Sequence, residues 1–379
     1  MSRPTRVLEL RSVWGTGGGP EKTILSGAER TDRSRFTVTV CYLRDLRDKD
    51  FTIDERAKAH GVDYIEILER HSFDPAIWTA LKRIVDERQI DIVHAHEYKT
   101  NLLAWLIARR RKLIALSTVH GWFGRNAFRE RIYYGVDKRV LARFPRVIAV
   151  SGALRDQLTA AGCSPGRVTV IPNGINHELF TRVPERRAAA RQQLGLADTD
   201  IVIGAVGRLE RQKRFDLLME VLAALRATRP HLRLLIAGDG SLREELDAVH
   251  RRLNLGESCR LLGHTPDVIG LHHALDLFVQ ASDDEGSPNV VLEAMSLETP
   301  VVATNVGGTS DLIDDGVHGL LVPPGDQNAL AGALARALDD WPATQERARA
   351  ARRRVVDELS FERRMARVEA IYDDLMKKA

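Results

Sequence analysis

A chain of 379 residues that is 44% hydrophobic and 28% charged holds enough apolar material for one large core or two ordinary ones. With 6% aromatics, 28 glycines, 14 prolines and no biased tract, its composition excludes disordered, collagen-like and coiled-coil classes. The formal charge of +4 is too small for an obvious nucleic-acid-binding protein, but it is unevenly placed: +9 over residues 1–180 and −5 over 181–379. Residues 101–150 alone carry eleven Lys and Arg against two Asp and Glu. Cys41, Cys163 and Cys259 are far from any CxxC spacing, which argues against a disulfide framework or a zinc site and fits a reducing compartment. The start, MSRPTRVLELRSVW, has no apolar signal-peptide core, and no segment approaches the ~18 apolar residues of a spanning helix. The expectation is a cytoplasmic protein, soluble or peripheral on a membrane.

Short β-branched or apolar runs alternate with longer amphipathic stretches. In the first half, 6–10 (RVLEL), 37–43 (TVTVCYL), 91–96 (DIVHAH), 113–120 (LIALSTVH) and 146–151 (RVIAVS) read as strands. The rhythm repeats at 201–207 (IVIGAVG), 233–240 (RLLIAGDG), 259–263 (CRLLG), 275–282 (LDLFVQAS), 300–304 (PVVAT) and 318–325 (HGLLVPPG). This alternation predicts α/β architecture, with parallel sheets covered by helices. Residues 171–196 interrupt both periodicities with turn residues and an Arg-rich run, and read as a linker. The predicted domains are 1–176 and 177–359. The tail, 360–379, reads as a helix with Phe361, Met365, Val368, Ile371, Tyr372 and Leu375 near 3.6 spacing, expected to pack back on the first domain.

Three segments could carry chemistry. In WGTGGGPEKTIL (14–25), Gly17, Gly18 and Gly19 follow a strand and precede a helix that Pro20 can open, so their amides could approach a phosphate; a ligand-free turn is the lesser alternative from this segment alone. It is neither a Walker A loop, because Glu21 stands before Lys22 where Gly is required, nor a GxGxxG from Gly15, because Pro20 takes the last glycine. In VGRLERQKRFDLL (206–218), Arg208 and Lys213 lie five apart beyond a strand end, where two cations suit a diphosphate, although surface solvation explains such residues as well. In SDDEGSPNVVLEAM (282–295), Glu285 sits at a loop mouth and Glu293 inside a helix beginning near Pro288. Both carboxylates can accept from sugar hydroxyls, and the first-turn amides of Asn289 and Val290 could hold a phosphate. Solvation at a helix start accounts for Glu285 but not for Glu293, flanked by Leu292, Ala294 and Met295.

Taken in order, GGGPEK, GR with Lys five residues on, AGDG, EGSPNVVLEAM, PVVATNVGG and HGLLVPPGD resemble the retaining GT-B glycosyltransferases of family 4 over nearly the whole chain. The resemblance implies two Rossmann-like domains with an interdomain cleft. It implies transfer of a hexose-type sugar, with anomeric configuration retained, from a UDP or GDP donor to an acceptor hydroxyl in polysaccharide or glycolipid assembly. No metal or other cofactor is expected, since Arg208 and Lys213 would neutralise the departing diphosphate. The resemblance marks Glu285 and His120 as donor-sugar contacts and, with Arg208 and Lys213, as catalytic. It puts Glu293 on the ribose, the amides of Asn289 and Val290 on the phosphates, and the base near Gly263, His264 and Thr265. Gly17 to Gly19 would close on the phosphates or the acceptor. The chain departs from the commoner family pattern at Ser287 and Pro288, where phenylalanine and glycine are frequent, and at Arg214, a frequent glycine position.

Residues 109–112 (RRRK) and 125–146 place cations among Phe128, Ile132, Tyr133, Val136, Val140 and Leu141 at helical spacing. Such a helix fits an anionic membrane surface, and its apolar stripe fits ordinary core packing equally. A saccharide or lipid-linked acceptor is expected near Tyr98, Lys99, Trp122 and Arg125, on loop position alone. His94 and His96 read as structural histidines, because no further ligands stand at matching spacing. A GT-B hydrolase or epimerase, a non-catalytic nucleotide-sugar binder and a nucleic-acid binder are the competing classes; the last lacks any recognition motif.

Overall fold

The computed structural model describes residues 3–72, 74–122 and 128–378, which divide into two compact units: Met1–Asn173 with Phe361–Ala379, and Gly174–Ser360. In the first, strands β1 (Thr5–Ser12), β2 (Phe36–Asp45), β3 (Asp63–Glu69), β4 (Ile92–Ala95), β5 (Ile114–Val119), β6 (Arg146–Ala149) and β7 (Val168–Val170) form a parallel sheet in the order β3-β2-β1-β4-β5-β6-β7. In the second, β8 (Ile201–Val206), β9 (Leu232–Ala237), β10 (Cys259–Gly263), β11 (Leu277–Gln280), β12 (Val301–Thr304) and β13 (Leu320–Val322) are parallel in the order β10-β9-β8-β11-β12-β13. Strand order reverses between β1 and β4 and again between β8 and β11. At such reversals the connections leave in opposite directions and open a crevice beyond the carboxyl ends of the strands.

Central strands such as β4, β11 and β12 are buried along their whole length, because helices cover both faces of each sheet. The helix Phe361–Lys377 belongs to the first unit. Its Phe361, Met365, Val368, Ile371, Tyr372 and Leu375 pack with Val7, Phe36, Ile92, Leu116 and Ile148 of that sheet and with Ile171 just past β7. Excluding apolar area from water stabilises this docking by ~25 cal/mol per Å².

The segment read as a linker is instead packed structure. Ile175 and Phe180 are buried in the core of the second unit. A helix spans Arg186–Gln193. Arg182 bonds the carbonyls of Leu297 and His272, and Arg187 and Arg191 reach Asp276. The arginines that made this stretch look solvated satisfy buried carbonyls and one carboxylate.

Candidate functional site

Three loops of the second unit meet at the carboxyl ends of β8, β11 and β12. The loop after β8 tightens into a 3-10 turn, Arg211–Lys213, which sends the Lys213 ammonium to Glu285 Oε1 at 2.6 Å. Glu285, on the loop after β11, accepts a second bond on the same oxygen from Ser282 Oγ at 2.7 Å. The loop after β12 closes the set, with the Gly308 amide donating to the Glu285 carbonyl at 3.3 Å. Gly307 lies at φ +50°, and a Cβ there would stand 1.7 Å from that carbonyl oxygen, so only glycine lets the two loops approach. Arg208, on the Lys213 loop, is exposed, and no ion pair forms on it among the described residues.

Arg214, immediately after Lys213, adopts φ +51° and ψ +41°, the left-handed region where a side chain costs about 1 kcal/mol. Its guanidinium pairs with Asp216 at 3.2 Å and Asp283 at 3.4 Å, which offsets the strain and ties the β8 and β11 loops together. This conformation is the physical reason glycine suits the position.

The helix Asn289–Ser296 follows Ser287 and Pro288, both buried. Amides of Val291 and Leu292 bond back to the Pro288 carbonyl, so Asn289 and Val290 precede the first intrahelical bonds. Glu293 is buried on this helix between Leu292 and Ala294. At the far side of the sheet, Gly263 ends β10 at φ +72° and its carbonyl accepts from the Gly238 amide at 2.8 Å, beyond the end of β9. Thr265 Oγ1 donates to the same carbonyl at 3.2 Å, and His264 is exposed.

In the first unit, the glycine run leads into the helix Gly19–Arg30. The Gly18 amide donates to Glu21 Oε2 at 2.6 Å, and Glu21 also pairs with Arg11. Burial pushes the Glu21 carboxyl up, but Arg11 and the Gly18 amide outweigh it and hold it below its ordinary value. In this structure an internal carboxylate takes the Gly18 donor that the sequence reading assigns to a substrate.

On β1, β4 and β5 and just past the ends of β4 and β5, polar side chains from distant parts of the chain form one buried set. His96 Nε2 bonds Glu9, and His96 Nδ1 lies 3.1 Å from His120 Nε2. Tyr372 donates to Glu9 Oε1 at 2.9 Å and stands 2.8 Å from His94 Nδ1, while His94 Nε2 lies 2.8 Å from Thr118 Oγ1. Burial pushes Glu9 up, but His94 and His96 beside it prevail and hold it well below the usual carboxylate range. Burial lowers His96 to about 4 against the pull of Glu9, and drives His120 well below its ordinary value. Glu9, His94 and His96 bring potential ligand atoms within 4.8 Å of one another. Spacing could not reveal Glu9, which β1 delivers beside β4, and the three side chains already hydrogen-bond in this set.

Near the expected acceptor region, Tyr98 is exposed and stacks on Tyr133 at 5.5 Å, whereas Lys99 pairs with Glu69. Trp122 is buried and donates its indole N–H to Asp137 at 2.9 Å, so it presents no contact surface. Arg125 lies outside the described residues. The apolar stripe of the helix Phe128–Leu141 divides: Val140 and Leu141 enter the core, while Ile132 and Val136 are exposed with Arg139 and Arg143. Among the described residues, no helix is long and apolar enough to cross a membrane.

Residues 17–179 match the family described as Glycosyltransferase Family 4, and residues 186–354 match Glycosyl transferases group 1. The chain is 31% identical over 295 residues to a glycogen synthase of Mycobacterium tuberculosis, covering 74% of this chain and 69% of that protein. It belongs to glycosyltransferase family 4. This family 4 glycosyltransferase is also 26% identical over 375 residues to an Escherichia coli protein named UDP-Gal:alpha-D-GlcNAc-diphosphoundecaprenol alpha-1,3-galactosyltransferase, covering 93% of this chain and 95% of that one. The crystal structure of Anabaena HepE in complex with UDP-glucose superposes with a TM-score of 0.85 at 24% identity, covering 96% of this chain and 99% of that chain. The fold is GT-B, built from two Rossmann-like parallel-sheet units.

Proposed function

We propose that this glycosyltransferase is a retaining, metal-independent hexosyltransferase that uses a UDP donor, with GDP as the alternative, and acts in polysaccharide or glycolipid assembly. The observation that carries the reading is the Lys213–Glu285 pair beside exposed Arg208 at the β8/β11 switch point. Cations held in a partly dry crevice stabilise a diphosphate leaving group by direct charge, the task a metal performs elsewhere. In this reading Arg208 and Lys213 meet the diphosphate, and Glu285 turns from Lys213 toward the sugar hydroxyls. Glu293 takes the ribose, the Asn289 and Val290 amides take the phosphates, and Gly263, His264 and Thr265 border the base. The bond from the anomeric carbon to the phosphate oxygen breaks while a bond to the acceptor oxygen forms on the same face. The leaving phosphate oxygen takes the acceptor proton. The named relatives favour UDP and a saccharide or diphospholipid-linked acceptor. The outward face bearing Ile132, Val136, Arg139 and Arg143 suits an acceptor presented at an anionic membrane.

The test incubates the protein with UDP-glucose, UDP-galactose or GDP-mannose and a sugar-diphospholipid acceptor in anionic vesicles, with and without EDTA. Expected are acceptor-dependent release of the nucleoside diphosphate, a product of unchanged anomeric configuration, indifference to EDTA, and a rate that falls as salt screens the vesicle. Equal release without acceptor would replace transfer by hydrolysis.

A further inference from the structure

The buried set around Glu9 dictates where its protons sit. Ionised Glu9 can only accept, so His96 carries its proton on Nε2, the nitrogen facing Glu9. That leaves a lone pair on His96 Nδ1, which faces His120 Nε2 at 3.1 Å, and one of two facing nitrogens must donate. The proton therefore lies on His120 Nε2. His94 fits the same scheme: Thr118 donates to its Nε2, its Nδ1–H donates to Tyr372, and Tyr372 donates to Glu9. With His96 and His120 neutral and Glu9 charged, every imidazole nitrogen of the set has a partner among the described residues except one. His120 Nδ1 is buried and has none among the described residues. The reverse order of protons needs a protonated Glu9, which the donors converging on its other oxygen, Tyr372 at 2.9 Å and His94 Nδ1 at 3.2 Å, oppose.

We propose that Glu9 and His96 are positioning residues that fix His120 in its Nε2–H form, so that Nδ1 is an obligate acceptor for one hydroxyl of the sugar substrate. The inference rests on the reading of His120 as a substrate contact and adds a direction to it. An acceptor-only nitrogen welcomes a hydroxyl and repels a carbonyl or phosphate oxygen. A sugar with fluorine or hydrogen at the contacted carbon leaves the buried nitrogen unpaired and is discriminated against. Arg364, buried on the helix of Tyr372 and within the field of Glu9, supplies the opposite charge that lets Glu9 stay ionised away from water.

Nitrogen NMR of the histidine-labelled full chain at neutral pH reads the tautomers directly. The expected result is His120 bare at Nδ1 and protonated at Nε2; a proton on Nδ1 overturns the proposal. His96→Ala should release His120 to a mixture of tautomers and lower kcat/KM about tenfold, the loss of one hydrogen bond to substrate. In His96→Asn the amide oxygen can stand in for Nδ1, which should keep the tautomer and recover most of the loss. If both variants lower the melting temperature while the His120 nitrogens stay as in the parent, His96 is merely structural and the relay is wrong. If the tautomer is as stated but His120→Ala transfers sugar undiminished, the relay stands and the substrate-contact reading falls.

Discussion

At the switch point of the first sheet, Glu9, His94, His96, Thr118 and Tyr372 spend their hydrogen bonds on one another behind His120; at that of the second, Lys213 and Glu285 pair while Arg208 faces solvent. The same strand plan thus supports two kinds of site. A closed network around one buried carboxylate holds one atom in a defined state at the expense of adaptability. In the proposed reaction the pair of partly exposed Lys213 with buried Glu285 exchanges partners when a diphosphate arrives.

The contrast breaks most sharply in turnover. Arg208→Ala should cut kcat by about 10² to 10³, the usual effect of removing one donor to a developing oxyanion, and leave the melting temperature unchanged because the side chain is exposed. A comparable fall in both quantities would show that the second site is as structural as the first. Acid should separate the units next. His96 titrates at about 4 when folded against 6.5 for the ordinary group, so between these values the unfolded chain binds the extra proton. Stability is whole above pH 6.5 and declines as pH falls toward 4, by about 3 kcal/mol for this group. Hydrogen exchange should register the His96 part of this loss in the first unit, and His96→Asn should remove that part. His272, buried in the second unit and lowered to about 3, gives that unit its own loss of the same sign, which His96→Asn should leave in place. The smallest effect is expected at Arg214→Gly, where relief of the left-handed strain and loss of the Asp216 and Asp283 pairs nearly cancel. Its change in stability should stay within about 1 kcal/mol by denaturant titration.

Legibility in the sequence followed burial. All six strands of the second sheet show as apolar runs, as do β1, β2, β4, β5 and β6 of the first. The two that were missed, β3 and β7, are the edges of that sheet. β3 reads DYIEILE, with Asp63 and Glu66 exposed, and β7 is three residues long. An edge strand is kept short or charged to avoid pairing with other chains, and this hides it from a search for apolar runs. The site divided along similar lines. Lys213 and Glu285 announced themselves because each stands at a strand end in a loop of unusual composition. Ser282, Gly307 and Gly308 carry no signal in the sequence, since their part depends on loops closing from different strands. Glu9 lay in a strand that looked like plain core, and its partners come from 87 and 363 residues away.

The tail helix reverses the order in which the protein can be completed. The first sheet, with its glycine loop and histidines, leaves the ribosome before the second but lacks Phe361, Tyr372 and Leu375 until residues 174–360 have followed it. Gly174–Ser360 has all its own strands before then. Of the two units the first is therefore the later to complete its core, and a nascent chain halted shortly before residue 361 holds a whole second unit and an unfinished first one.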